Sequence, residues 1–128
     1  MEIIDVTAAI IEKDGKFLIA KRKKGIPLEN KWEFPGGKVK QNETLENCLK
    51  RELKEEFGVE TEIGEFITES KFTYGERTFR LLSFYAKYIS GQYQLTAHDE
   101  IRWITLEEFN QFDFAPADIP IINKIKEI

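Results

Sequence analysis

The chain is poor in several of the residues that give other proteins their chemistry or their anchoring. It has one cysteine, one histidine and one methionine among 128 residues. A lone Cys48 excludes an internal disulfide, and its simplest role is a small buried side chain beside an apolar helix stripe rather than a reactive thiol. No run approaches the roughly 20 apolar residues of a membrane span. The start of the chain is acidic where a secretory leader would be basic, so a cytoplasmic location without a membrane partner is expected. Positive charge is also short: 19 Lys and Arg face 23 Asp and Glu, for a net charge of −4 and a pI near 5.2. That balance argues against a stable complex with duplex nucleic acid, whose binders are normally basic. A small anionic substrate remains compatible, because a metal ion and a few local cations can dominate one site. Repeats, linkers and low-complexity tracts are absent, and the length suits a single domain over residues 1–128. Aromatic residues are plentiful, with ten Phe, four Tyr and two Trp to build a core.

The informative stretch is GKVKQNETLENCLKRELKEEFGV, residues 37–59. Gly36 and Gly37 follow Pro35 and mark a loop. Asn42 can cap a helix predicted from Glu43 to Phe57, and Gly58 sits where a helix-terminating glycine belongs. At about 100° per residue, Leu45, Leu49 and Leu53 form one apolar stripe, which Phe57 extends. Glu52 and Glu56 project near the start of that stripe and Glu55 along its other edge, whereas Lys50 and Lys54 face away. Carboxylates crowded at i, i+3 and i+4 beside a packing face repel one another, and partial burial adds to the cost. A hard divalent cation removes that cost, because Mg²⁺ takes carboxylate oxygens and keeps positions for water and substrate phosphates. A free carbonyl in the glycine loop, assigned to Gly37, can join such a shell.

Gly37, Glu43 and the run Arg51-Glu52-Leu53-Lys54-Glu55-Glu56-Phe57-Gly58-Val59 together resemble a complete Nudix box. The WEFPGGK wording at residues 32–38 is similar to the MutT branch of that family. The resemblance spans nearly the whole chain. It implies an α/β fold, an α/β/α sandwich with a mixed β-sheet between helices. It also implies an enzyme that cuts a nucleoside diphosphate linked to another group, with Mg²⁺ or Mn²⁺. Glu52, Glu55 and Glu56 would then hold the ions, Glu55 or Glu56 could double as base, and Arg51 would orient the carboxylates by ion pairs.

The remaining elements surround this helix. A strand over residues 2–12, the turn Asp14-Gly15 and a strand over 16–21 read as a hairpin. The basic cluster Arg22-Lys23-Lys24 reads either as a solvated strand end or as a source of one phosphate clamp. Arg22 occupies the place where MutT-like proteins carry such an arginine. Trp32, Glu33 and Phe34 form a short strand; the aromatics are core side chains or base-stacking surfaces, and Glu33 faces solvent or the site. A second hairpin runs over 61–74 and 77–89, its turn carrying Glu76 and Arg77. By composition these are exposed turn residues, while the resemblance places them beside a base pocket. Ala97 stands where many family members have an acidic residue six positions before a tryptophan, here Trp103. Asp99 and Glu100 are therefore both candidates for a second metal-binding acid. His98 reads as a surface or strand-end residue rather than a general base. Thr105 and Glu108 form a capping box. Asp118 is an expected N-cap of the last helix, and the phrase FAPADIPII resembles a segment in which this residue meets the base.

The expected function is thus hydrolysis of a nucleoside triphosphate to a monophosphate and pyrophosphate, on an oxidised nucleotide such as 8-oxo-dGTP or on a (d)CTP derivative. ADP-ribose or a dinucleoside polyphosphate is the alternative substrate, and a nucleotide-sensing module that does not cut is the alternative class. The protein would act as a monomer or homodimer on a small nucleotide.

Overall fold

The computed structural model describes residues 2–128. Strand β1 (Ile3–Lys13) turns into β2 (Lys16–Arg22) through Asp14 and Gly15. Both turn residues have positive φ, 53° and 78°, which gives the right-handed twist that a two-residue hairpin needs. The two strands stay in register only at Glu12–Phe17 and Lys13–Lys16 and then part. β1 goes on to pair in parallel with β5 (Arg77–Ser90), from Ile3 opposite Thr78 to Ile11 opposite Ala86. β5 pairs antiparallel with β4 (Glu60–Tyr74), and β2 pairs antiparallel with β6 (His98–Ile104). The result is one mixed six-stranded sheet, splayed between β1 and β2.

Residues 32–39 fill the splay. β3 (Trp32–Glu33) pairs with Ala20 and Lys21 of β2. The chain then crosses to β1, where the Pro35 carbonyl accepts the Ala9 N–H at 2.7 Å and the Gly37 carbonyl accepts the Thr7 N–H at 2.8 Å. Both glycines lie in close quarters at this crossing. A Cβ on Gly36 would run into the Thr7 carbonyl, and one on Gly37 would run into the Glu52 carboxylate.

β1 and β2 are apolar on both sides, as strands covered on both faces must be. Ala9, Ile11, Leu18 and Ala20 pack with Leu49, Leu53 and Phe57 of α1 (Leu45–Phe57). Ala8, Ile10, Phe17 and Ile19 pack on the opposite face with Ile121, Ile122 and Ile125 of α2 (Ile119–Glu127), and with Phe109 of a 3₁₀ turn at Leu106–Gln111. This is the expected α/β/α sandwich. Cys48 is buried beside the leucine stripe.

Two caps differ from expectation. α1 begins at Leu45, and its N-cap is Thr44, whose hydroxyl accepts the Asn47 N–H at 3.1 Å. Asn42 instead occupies a left-handed turn with φ 64°, a conformation that asparagine tolerates better than most residues. Asp118 precedes α2 but makes no side-chain cap bond; its carboxyl is buried and turned to the Phe34 N–H. The Gly58 terminator and the Thr105–Glu108 pair stand as expected. Among the described residues, no helix is long and apolar enough to cross a membrane.

Candidate active site

α1 presents its carboxylates beside the Gly36–Gly37 crossing. Arg51 collects several of them. Its Nε and Nη2 donate to both oxygens of Glu43, at 2.7 and 2.9 Å, and its Nη1 reaches Glu52 at 2.8 Å and Glu55 at 3.2 Å. The Arg51 hydrogen bonds hold the Glu43 carboxyl down at about 2. Arg51 thereby supplies the positive charge that lets this turn of helix fold with its carboxylates adjacent.

Glu56 is treated differently. The residue is half-buried, and its buried Oε1 has no hydrogen-bond partner. Burial, followed by the negative charges of Glu52, Glu33 and Glu55, pushes its carboxyl up to about 8. A buried acceptor without a donor is costly unless something occupies the place of the missing partner. The donor chemistry here is hard oxygen at high negative charge density, which fits a divalent cation. Among the described residues, no three acidic, imidazole or thiol groups are gathered closely enough to enclose an ion as they stand, because Arg51 holds Glu52 and Glu55.

Glu56 opens onto a cavity of about 590 Å³. Phe72, Tyr74 and Phe79 from the β4–β5 hairpin form one wall, and the β2–β3 loop supplies Ile26, Pro27 and Leu28. Phe34 and Asp118 lie deeper, and Lys38 lines the cavity close to the glycine crossing. Asp118 is almost fully buried and accepts the Phe34 N–H at 3.3 Å. Burial first, and the neighbouring Glu33 next, push its carboxyl well above the usual range.

Glu33 lies between the two ends. One of its oxygens accepts from Arg22 at 2.9 Å and the other meets His98 Nε2 at 2.9 Å. Arg22 also donates through Nε to the Pro27 carbonyl, which ties the apolar loop down. His98 is only 4% exposed and its ring stacks on Phe57 at an interplanar angle of 5°. It is a strand-end residue, as read, but a buried one rather than a surface one.

The fold therefore brings Arg22, Glu33, Phe34, Gly37, Glu56 and Asp118 to one cavity, with Arg51, Glu52 and Glu55 on the adjoining helix turn. Three of the anticipated residues lie elsewhere. Arg77 is exposed at the hairpin turn and does not line the cavity. Asp99 is exposed and accepts the Lys24 N–H, and Glu100 pairs with Arg102 at 2.6 Å. The Gly37 carbonyl is also committed, accepting from the Thr7 N–H and hydroxyl. The Pro35 and Gly37 carbonyls thus both face β1, and Gly36 stands between them. The Ile26–Leu28 wall was not singled out, and the burial of His98 was not read, because a buried imidazole requires a tertiary neighbour that no local pattern reveals.

A NUDIX domain model matches residues 1–125. The chain belongs to the Nudix family. As a Nudix hydrolase it is an enzyme acting on phosphoric anhydride bonds of small nucleotides, and members of this family work with a divalent metal. It is 38% identical to the CTP pyrophosphohydrolase of Escherichia coli K12 over 122 residues, covering 95% of this chain and 90% of that protein. It is 32% identical to an 8-oxo-dGTP diphosphatase of Buchnera aphidicola from Schizaphis graminum, covering 100% and 97%. The solution structure of the E. coli ORF135 protein superposes with a TM-score of 0.90 at 37% identity, over 99% of this chain and 91% of that one. The crystal structure of a MutT protein from Methanosarcina mazei Go1 gives a TM-score of 0.88 at 25% identity, over 98% and 94%.

Proposed function

We propose that this Nudix hydrolase is a Mg²⁺-dependent nucleoside triphosphate pyrophosphohydrolase that converts CTP, or an oxidised nucleotide such as 8-oxo-dGTP, to the monophosphate and pyrophosphate. One observation carries the reading. A single cavity is lined by Glu56, whose buried Oε1 has no partner, by a buried, hydrogen-bonded Asp118 and by aromatic walls.

Glu52 and Glu56, with the Gly36 carbonyl, are the groups that would hold Mg²⁺, and Glu55 would join them on release from Arg51. An ion held there would supply charge neutralisation for the polyphosphate and acidification of a water for attack on phosphorus. Arg51 orients the carboxylates through Glu43 and is a positioning residue. Arg22 turns its guanidinium into the cavity, held by Glu33, where it can meet a phosphate oxygen. The base is received between the Phe72–Tyr74 wall and the Ile26–Leu28 loop. A protonated Asp118 carboxyl offers one donor and one acceptor side by side. That pair matches the N4/N3 edge of cytosine or the N1/O6 edge of a guanine derivative. The names of the two curated relatives support both bases.

The test is a panel of canonical and oxidised triphosphates, ADP-ribose and dinucleoside polyphosphates, assayed with Mg²⁺ for pyrophosphate release. CTP or 8-oxo-dGTP should lead by at least about ten-fold in kcat/KM, the selectivity expected of a site that hydrogen-bonds its base. Preference for ADP-ribose or a dinucleotide would overturn the substrate assignment. Glu56→Gln should lower kcat by about a thousand-fold while nucleotide binding changes little. A sensor that does not cut would show no turnover to lose.

A further inference from the structure

The last turn of α1, which carries Glu55 and Glu56, ends in carbonyls that no helical N–H can satisfy. Gly58 closes one position by donating to the Lys54 carbonyl. The others are met by a distant segment, the connection from β5 to β6. The Gln94 N–H donates to the Phe57 carbonyl at 2.9 Å, and the Thr96 N–H donates to the Glu56 carbonyl at 3.3 Å. The Thr96 hydroxyl lies 3.1 Å from both the Glu55 and the Glu56 carbonyl oxygens and donates to the pair. On its other side, the Thr96 carbonyl accepts from Lys23 Nζ at 2.8 Å. Thr96 thus links the end of the carboxylate helix to the residue that follows Arg22. Its neighbours enter the cavity directly: Ala97 lines it, and His98 holds Glu33.

A left-handed glycine cap closes only part of a helix end, and Gly58, with φ 72°, leaves the Glu55, Glu56 and Phe57 carbonyls for other donors. The additional donors converge on the backbone of Glu55 and Glu56, of which Glu56 opens onto the cavity. The Glu56 side chain opens onto the cavity with its Oε1 unpartnered, so its direction is set by the backbone from which it leaves, and that backbone is held at its own carbonyl by Thr96.

We propose that Thr96 is a positioning residue for the reaction: its hydroxyl and N–H fix the last turn of α1, and through Lys23 register that turn against the Arg22 end of β2. The proposal rests on the reading of Glu56 as a cation ligand. Thr96→Val keeps the shape and removes the hydroxyl donor, whereas Thr96→Ser restores it.

In the metal-free protein, Thr96→Val should speed amide exchange of residues 55–58 by about five-fold relative to wild type, the loss of one modest hydrogen bond. The concentration of Mg²⁺ at half-saturation, titrated without nucleotide, should rise by about ten-fold, and kcat on the preferred triphosphate should fall by about ten-fold with KM nearly constant. Thr96→Ser should return all three toward wild type. Unchanged exchange, or faster exchange with unchanged Mg²⁺ midpoint and kcat, would overturn the proposal. Should Thr96→Val fail to fold, Lys23→Met removes the other half of the link; a two- to three-fold effect in the same direction is expected, and none would count against the proposal. If no nucleotide in the panel is cut, exchange and Mg²⁺ titration still decide the role of Thr96, so its failure and that of the substrate assignment are separable.

Discussion

Glu56 shows how much one side chain can cost a fold in order to serve a site. Its carboxyl is displaced from an ordinary value of 4.5 to about 8, chiefly by burial. Below about pH 4.5 it is protonated whether the chain is folded or not, and contributes no pH dependence. Between 4.5 and 8 the folded protein retains a proton that the unfolded chain has lost, so stability falls as pH rises through this window. Above 8 the cost is paid in full. Glu56→Gln is therefore expected to melt like wild type near pH 4.5 and on the order of 5 °C higher at pH 8.5, both measured without divalent ions. Parallel melting curves at both pH values would show that Glu56 finds a partner in the metal-free protein. Asp118 is displaced in the same direction by burial and by Glu33. Comparing variant with wild type at each pH isolates Glu56 from that shared background.

The elements differ in how strictly they specify their ends. For α1 the hydroxyl of Thr44 is the cap, so Thr44→Ala should cost about 1 kcal/mol in denaturant unfolding. Asn42 holds a positive φ without capping, so Asn42→Gly should be neutral or slightly stabilising. The reverse ranking would restore Asn42 as the cap. The glycine crossing offers a sharper contrast. Gly36→Ala drives a methyl group into the backbone of β1 at Thr7, which cannot yield without opening the sheet. A loss of at least about 2 kcal/mol is expected, and with it a lower thermal midpoint. Gly37→Ala meets the end of a flexible side chain, the Glu52 carboxylate, which can swing aside. That variant should fold within about 1 kcal/mol of wild type yet need on the order of ten-fold more Mg²⁺ for half-maximal activity. Equal losses of stability in both variants would mean that Glu52 is as fixed as the backbone.

At the scale of the whole molecule, the legible parts were those written in local spacing. The Asp14-Gly15 hairpin, the stripe of Leu49, Leu53 and Phe57, and the Gly58 terminator each depend on neighbours a few residues away. The illegible parts depend on long separations. Asp118 was readable as a helix cap, but the partner that claims it is the N–H of Phe34, 84 residues earlier. The Gly37 carbonyl was readable as free until Thr7 took it, whereas Arg77 lies at an exposed tip as its turn composition indicates, and not in the pocket that the family resemblance implied. The same long-range assembly makes the proposed cation site a property of the fold rather than of the helix, because the glycine crossing that lies against Glu52 is held on β1 at Thr7 and Ala9. A divalent ion that binds only this assembled state must stabilise it by mass action, and the gain grows with the charge it neutralises. Mg²⁺ at saturating concentration is therefore expected to raise the melting temperature by about 5 °C at pH 8.5, where the carboxylate is ionised, and by much less at pH 5.5, where a proton competes. Glu56→Gln should lose most of the increment at the higher pH. An increment independent of pH, or one retained in that variant, would place the ion elsewhere on the molecule.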